Sequence, residues 1–225
     1  MQIGIQTAQI GRLASGAAVR NAARAAEELG YASIWVIDRL PVPVEPRSAY
    51  PHRDGVLPPS QRVALDPMQV LTASASVTSR IRVGTSVIVA PWYRPVLLAR
   101  ALTSIDVLSE GRLTVGLGLG WSEDEYAAVA VDRAGLGAKL DEVLDVLEAH
   151  WGGPIDGSGD SAATGPPDEV QVDGPGGVLH ATNVLRSVQR PRPPLLLAAA
   201  SDSGLNRVGR RADGWTTSCS DAELL

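Results

Sequence analysis

The run of residues most suited to ligand binding is the glycine-rich segment Gly116-Leu-Gly-Leu-Gly120. It follows an apolar stretch typical of a β-strand and precedes Ser122-Glu-Asp-Glu125, a capping-box pattern that begins a helix. Glycines let a planar or anionic ligand approach the backbone, and a helix start offers free N–H groups. The spacing is neither a dinucleotide nor a P-loop motif. Tight packing of strand against helix explains the glycines equally well, and the acids at 123–125 would repel a phosphate.

Polar residues also stand in or directly after other apolar runs. Asp38 ends the second run, at the position where parallel α/β sheets bind ligands, although an acid there can equally cap a loop. Thr85 and Ser86 interrupt the run at 82–89, which indicates a bulge or a strained peptide aimed at a ligand, or two hydroxyls bonded to neighbouring backbone. Aromatic residues near strand ends could stack on a flat ring or belong to the core: Trp35, Trp92, Trp121 and Trp215.

Other chemistries are disfavoured. The three histidines form no cluster, no zinc-hydrolase or nucleophile-elbow motif occurs, and Cys219 has no histidine near it, so we expect no metal site. A net charge of -5 argues against a nucleic-acid partner. No apolar run has the roughly 18 residues of a membrane span. The N-terminus lacks the features of a secretory signal, and the single cysteine fits a reducing compartment, so the expected location is the cytoplasm.

Apolar strand patterns alternate with helical ones along the 225 residues, which predicts one α/β domain with right-handed β-α-β units around a parallel sheet. Two segments depart from this alternation. Residues 40–65 are too long for an ordinary connection, which indicates either a functional lid or an ordered excursion. Residues 152–185 are an insertion that begins as a Gly/Ser/Pro-rich loop and ends in a possible hairpin. The predicted strands cover residues 2–6, 33–37, 82–89, 113–117, 195–199 and 214–217.

These segments together resemble the luciferase-like monooxygenase superfamily, which contains flavin-dependent and coenzyme F420 (deazaflavin)-dependent oxidoreductases. The resemblance covers nearly the whole chain and lies closest to the F420-dependent branch. It implies a TIM (β/α)8-barrel type of fold with the cofactor ring at the C-terminal ends of the strands. It is carried by MQIGIQT, AAEELGYASIWVID, SRIRVGTSVIVAPWYRPVLLARALTSIDVLSEGRLTVGLGLGW, KLDEVLDVLEAHW, PRPPLLLAAAS and RRADGW.

The resemblance also assigns site residues. Members of the family often carry a non-proline cis peptide under the ring, and the matching pair is Ser86-Val87. Asp38 matches the acidic residue after the second strand and is the candidate catalytic residue. Replacing Asp38 with alanine is expected to weaken cofactor binding or turnover while folding stays nearly intact. The remaining candidate cofactor-binding residues are Gly118, Leu119, Gly120, Trp121, Ala199, Ala200, Ser201 and Gly214.

The sequence departs from the family pattern in two ways. Arg39 stands where the family often has histidine, which leaves a proton donor from that position in doubt. Only about six β/α units are present, so the barrel is incomplete and a seam between the first and last strands would expose unpaired backbone groups. From this we expect marginal stability, association through the seam and weaker cofactor retention than in longer relatives.

The functional hypothesis is an oxidoreductase that uses reduced F420 or flavin to transfer hydride, or to activate oxygen, for a small organic substrate. The alternatives are an FMN-dependent monooxygenase and a non-catalytic flavin-binding protein of the same fold. The resemblance further implies a homodimer that acts on a small-molecule substrate. The charge and the lack of a long apolar run argue against a nucleic-acid or membrane partner.

Overall fold

The computed structural model describes residues 1–40, 42–151, 170–174, 177–181 and 185–217. The strands are β1 Gly4–Gln6, β2 Ser33–Val36, β3 Arg82–Thr85, β4 Ile88–Val89, β5 Leu113–Gly118, β6 Val170–Gly174, β7 Gly177–Ala181, β8 Leu195–Ala198 and β9 Gly214–Thr216. The α-helices are α1 Gly16–Glu28, α2 Pro67–Ala75, α3 Pro95–Leu108, α4 Glu123–Ala128, α5 Leu136–Trp151 and α6 Asp202–Arg211.

The sheet is parallel and has the order β1-β2-β3-β5-β8-β9. The short strand β4 continues β3 and pairs with β5. Helices connect successive strands and cover the outer face, where apolar residues of β3, β5 and β8 pack in one core with α2, α3 and α5. This confirms the predicted fold class, an incomplete barrel of the (β/α)8 type, with six parallel strand positions among the described residues.

Side-chain caps define where the helices begin. Ser15, Asp66, Ser122 and Ser201 each accept a hydrogen bond from the backbone N–H three residues further on, at the start of α1, α2, α4 and α6. No helix within the described ranges is long and apolar enough to cross a membrane.

The insertion contains the expected hairpin, because β6 and β7 pair antiparallel from Val170 opposite Ala181 to Gly174 opposite Gly177. The two residues that join these strands, and the remaining residues of the insertion at 152–169 and 182–184, lie outside the described part of the chain.

The structure corrects the predicted strand at 82–89, because this stretch is divided into two strands. The peptide bond between Ser86 and Val87 is cis, as the resemblance implied, and the regular pairing stops there. Where the pairing stops, the hydroxyl of Thr85 bonds to the backbone of β5. It donates to the carbonyl oxygen of Gly116 at 2.8 Å and accepts from the N–H of Gly116 at 2.7 Å. Of the two readings of this hydroxyl, bonding to neighbouring backbone is therefore the right one for Thr85.

The glycines of the 116–120 segment make room for the adjacent strand. A Cβ atom at any of them would lie closer than 3 Å to that strand, a separation that real Cβ atoms essentially never show. The close approaches are Gly116 to the Thr85 carbonyl oxygen at 2.1 Å, Gly118 to Val87 Cγ2 at 2.8 Å and Gly120 to Val89 Cγ1 at 2.8 Å. Tight packing, the second interpretation of this motif, thus accounts for the glycines without a ligand.

Gly116→Ala is expected to lower the free energy of unfolding by about 1–3 kcal/mol, because the added methyl group meets a backbone oxygen that cannot move independently. Gly209→Ala is the matched control, since Gly209 lies inside α6 with nothing within 4 Å of its would-be Cβ. In a helix this control should be neutral or stabilising. Urea unfolding of both variants measures the difference, and equal stabilities would contradict the packing account.

The two outer strands of the sheet, β1 and β9, each pair with one neighbour among the described residues. Apolar side chains near them are exposed, with Ile3 at 55%, Ile5 at 38% and Trp215 at 52%. The expected association of the 225-residue chain through this seam remains a prediction.

Candidate functional site

A cavity of about 330 Å³ lies at the C-terminal ends of the strands. Its lining comes from both outer strands and from the middle of the sheet, and includes Gln6, Trp35, Ser86, Leu196 and Trp215. The predicted site residue Ser86 of the cis peptide is thus part of a concave, mostly apolar surface. In parallel α/β folds this edge of the sheet is where ligands bind.

Trp35 forms much of the inner surface of the incomplete barrel. Its indole ring lies against the neighbouring strands at Gly4 and Gly84, where a Cβ would come within 2.4 Å and 2.6 Å of the ring. The indole N–H donates to the hydroxyl of Ser33 at 2.8 Å, which fixes the ring. An aromatic wall is therefore held in place beside Ser86 by two glycines and one hydrogen bond.

Asp38 follows β2 and is 7% exposed. Its Oδ2 atom accepts hydrogen bonds from the Val89 N–H and the Tyr93 hydroxyl, both at 3.1 Å. Burial raises the pKa of Asp38 to about 6, although these two donors oppose the shift. No donor among the described residues reaches Oδ1. These contacts show that Asp38 fixes the segment after the cis peptide. Its role toward a ligand stays a prediction, and Oδ1 is the atom that would contact the ligand.

A buried ion pair that the sequence analysis missed lies beside Asp38. Glu125 is 2% exposed, its Oε2 lies 3.2 Å from Nη1 of Arg39, and its Oε1 accepts from the Leu40 N–H at 2.9 Å. Burial raises the pKa of Glu125, against the opposing effects of these two partners. The Arg39 guanidinium also lies 5.2 Å from the centre of the Trp121 ring. Trp121, predicted to contact a cofactor, thus has a protein partner.

The capping-box interpretation of residues 122–125 is half right. Ser122 accepts from the Glu125 N–H, but the Glu125 carboxylate binds Arg39 and Leu40 instead of the helix start. The repulsion of phosphate expected from the three acids is offset, because each has an arginine partner: Glu123 with Arg133, Asp124 with Arg47 and Glu125 with Arg39.

Most of the other predicted site residues lie around the same edge, whereas Gly214 is the first residue of β9. Ser201 caps α6 by accepting from the Gly204 N–H, and the Ala199 carbonyl accepts from the Trp215 indole at 2.8 Å. The Leu119 carbonyl accepts from the hydroxyl of Tyr126. Gly214 is packed so that a Cβ there would lie 2.8 Å from Leu196. Ala200 lies between Ala199 and Ser201 and follows β8 directly.

The sequence profile of luciferase-like monooxygenases matches residues 2–224. This chain belongs to the luciferase-like monooxygenase family. An uncharacterized protein of Mycobacterium tuberculosis is 30% identical to it over 206 residues, which are 90% of this chain and 68% of that protein.

Two solved structures have the same fold. The coenzyme F420 dependent tetrahydromethanopterin reductase of Methanopyrus kandleri has a TM-score of 0.64 at 21% identity, with 95% of this chain and 55% of that chain covered. The oxygenating constituent of 3,6-diketocamphane monooxygenase from Pseudomonas putida, in complex with FMN, has a TM-score of 0.67 at 14% identity, with 93% and 55% covered. The luciferase-like chain described here spans little more than half the length of either structure.

A second, larger groove lies away from the strand ends. It has a volume of about 550 Å³ and lies between residues 91–96 and the segment from Val129 to Val146 on the helical side. In a luciferase-like chain the smaller cavity is the better candidate, because its lining includes the cis peptide and the strand ends. No group of three His, Cys, Asp or Glu residues that could hold a metal ion occurs in the described ranges.

The residues of the smaller cavity fit a flavin-type ring. Its volume of about 330 Å³ is at the lower end of the roughly 300–1,000 Å³ of ligand pockets. The faces of Trp35, Leu196 and Trp215 suit a flat, largely apolar ring, and the hydroxyl of Ser86 adds a polar group at its edge.

Proposed function

We propose that this chain forms the cofactor-binding part of an oxidoreductase that uses reduced F420 or FMN to act on a small organic substrate. The observation that carries the proposal is the cavity at the strand ends with Ser86 of the cis peptide in its lining, in a member of the luciferase-like monooxygenase family. When bound, the cofactor supplies hydride or activates oxygen, and the protein supplies position and a dry surface.

In this proposal, three groups of residues have different roles. Trp35, Leu196 and Trp215 hold the ring and exclude water from it. The backbone at 199–201 and at 118–120 lies at the same edge and binds the polar tail. Asp38 presents the free Oδ1 to the ring or to the substrate, and with a pKa of about 6 it can hold a proton in mildly acidic solution.

F420 is the cofactor that we place first, and the F420 dependent reductase among the similar structures supports it. FMN is the second candidate, supported by the FMN complex of the diketocamphane monooxygenase. An arginine at position 39 favours neither cofactor: its Nη1 pairs with Glu125 and its guanidinium lies over Trp121, while its buried Nε has no hydrogen-bond partner among the described residues.

Titration with each cofactor, followed by tryptophan fluorescence, tests the proposal. We expect saturable binding of one cofactor that weakens at least about tenfold in Leu196→Arg, because the change places a charge in the apolar cavity. Leu205→Arg is the control, since Leu205 is 42% exposed on α6 and does not line the cavity. Binding of neither F420 nor FMN would contradict the proposal.

Turnover separates an enzyme from a binding protein. The cofactor that binds is supplied in reduced form with carbonyl and alkene compounds, with and without oxygen. Oxidation of the cofactor that depends on an added compound is the expected result. Saturable binding without any such oxidation would favour a non-catalytic flavin-binding protein.

A further inference from the structure

The two carboxylate oxygens of Asp38 lie in different surroundings. Oδ2 accepts hydrogen bonds from the Val89 N–H and the Tyr93 hydroxyl, whereas no donor in the described part of the chain reaches Oδ1. Oδ1 is also not one of the buried side-chain atoms that lack a partner among the described residues, so it is open to solvent. One oxygen is therefore bonded to the protein, and the other is available to a ligand.

The backbone that carries Asp38 is fixed by Gln9. This glutamine is fully buried; its Oε1 accepts from the Ile37 N–H at 2.8 Å, and its Nε2 donates to the Ile37 carbonyl at 2.6 Å. Breaking these bonds would leave buried polar atoms without partners, which is costly. Because Asp38 directly follows Ile37, its carboxyl group is held both through the backbone and through Oδ2.

The direction of the hydrogen bond between Tyr93 and Asp38 follows from the groups present. The Val89 N–H can only donate. The Tyr93 hydroxyl has no other acceptor among the described residues, so it donates to Oδ2 as well. Two donors then occupy both lone pairs of Oδ2. A proton that Asp38 takes up therefore binds to Oδ1.

The groups around Asp38 favour the uptake of this proton. Burial is the main cause that raises the pKa of Asp38 to about 6, and the negative charges of Asp66 and Glu125 add to it. Burial and the neighbouring Asp38 also raise the pKa of Tyr93, so its hydroxyl stays a donor at neutral pH. The cation next to Asp38 in the sequence, Arg39, pairs with Glu125.

We propose that Tyr93 is a positioning residue that fixes the proton of Asp38 on Oδ1, from which Asp38 donates it to the substrate. The donation rests on the proposed function, whereas the position of the proton does not. Arg39 stands where related proteins often have histidine, and a guanidinium does not release its proton. Asp38 is therefore the acid that this part of the chain offers.

The donated proton completes a reduction. A carbonyl or alkene that is reduced receives a hydride and a proton, and the reduced cofactor supplies the hydride. The Oδ1–H bond of Asp38 breaks, its electron pair stays on the carboxylate, and a new O–H or C–H bond forms on the substrate. The carboxylate keeps both hydrogen bonds at Oδ2, which are stronger to an ionised acceptor. Because Oδ1 is open to solvent, water can return the proton.

A titration of Asp38 in Tyr93→Phe tests the position of the proton. This variant keeps the ring and removes a hydrogen bond that favours the ionised form, so we expect the pKa of Asp38 to rise from about 6 to about 7. NMR of the full chain with 13C-labelled aspartate measures the pKa, and Asp38→Asn identifies the signal. If Tyr93 instead accepted a proton from Oδ2, its loss would lower the pKa.

Tyr126→Phe is the matched control. It also removes a hydroxyl from a tyrosine at this edge, but that hydroxyl donates to the Leu119 carbonyl. The pKa of Asp38 should therefore stay unchanged in this variant. An unchanged or lowered pKa in Tyr93→Phe, or an equal rise in Tyr126→Phe, would overturn the proposal.

The pH dependence of turnover tests the donation. With Asp38 as the acid, the rate falls as the pH rises through its pKa. In Tyr93→Phe this fall should move to higher pH by the same amount as the pKa measured by NMR. A fall that stays in place while the pKa rises would overturn the donation. If neither F420 nor FMN supports turnover in any variant, the proposed function fails, and the NMR titration still decides where the proton lies.

Discussion

Glu125→Ala is expected to lower the free energy of unfolding by about 3–5 kcal/mol. The change removes the partner of Arg39, whose side chain is only 7% exposed, and leaves a buried guanidinium without compensation. It also leaves the Leu40 N–H without its acceptor. Urea unfolding at pH 7 measures the loss.

Two variants control for this effect. Glu123→Ala removes an acid one residue from Asp124 in the same turn, but its pair with Arg133 is exposed and should cost at most about 1 kcal/mol. Arg39→Met combined with Glu125→Leu replaces both charges and should recover much of the stability. A loss in Glu125→Ala no larger than that in Glu123→Ala would contradict the burial of this pair.

Asp38→Asn is expected to stabilise the folded chain at pH 7 by up to about 3 kcal/mol, while it weakens turnover. The pKa of Asp38 is about 6 in the fold, against an ordinary value of 3.8, and each unit corresponds to about 1.4 kcal/mol. The folded chain therefore binds this proton more tightly than the unfolded chain does. The associated stability is complete below pH 3.8 and is lost as the pH rises through about 6.

Asparagine keeps an oxygen acceptor for the Val89 and Tyr93 donors but does not titrate. The difference in unfolding free energy between Asp38→Asn and the unchanged chain should grow from pH 4 to pH 7 and stay constant above that range. Urea unfolding at a series of pH values measures this difference. A difference independent of pH would contradict the raised pKa. Alanine is the less informative substitution, because it leaves two donors unpaired. It would lower the stability of the fold as well as affect the site.

The sequence predicted what depends on local pattern. Helix starts at Asp66 and Ser122 follow from capping residues, and the parallel sheet follows from the alternation of apolar runs with helical patterns. The cis peptide at Ser86 followed from the resemblance, although the polar interruption of the strand had already marked that position.

Long-range polar contacts could not be predicted in this way. Glu125 looked like a capping residue because its spacing from Ser122 is right for one, and only the fold brings Arg39 to it. The role of Gln9 could not be predicted from the sequence, because a single glutamine that bonds to backbone groups of distant segments creates no periodicity. The glycines of 116–120 were equally ambiguous, because the strand against which they pack is distant in the sequence.

A crystal structure of the chain with bound F420 or FMN tests the central claim most directly, because the chain has more than one cavity of sufficient volume. The account predicts that the ring lies in the cavity at the strand ends, against the Ser86-Val87 peptide and between the side chains of Trp35 and Trp215. A ring found instead in the larger groove between residues 91–96 and α5 would contradict it.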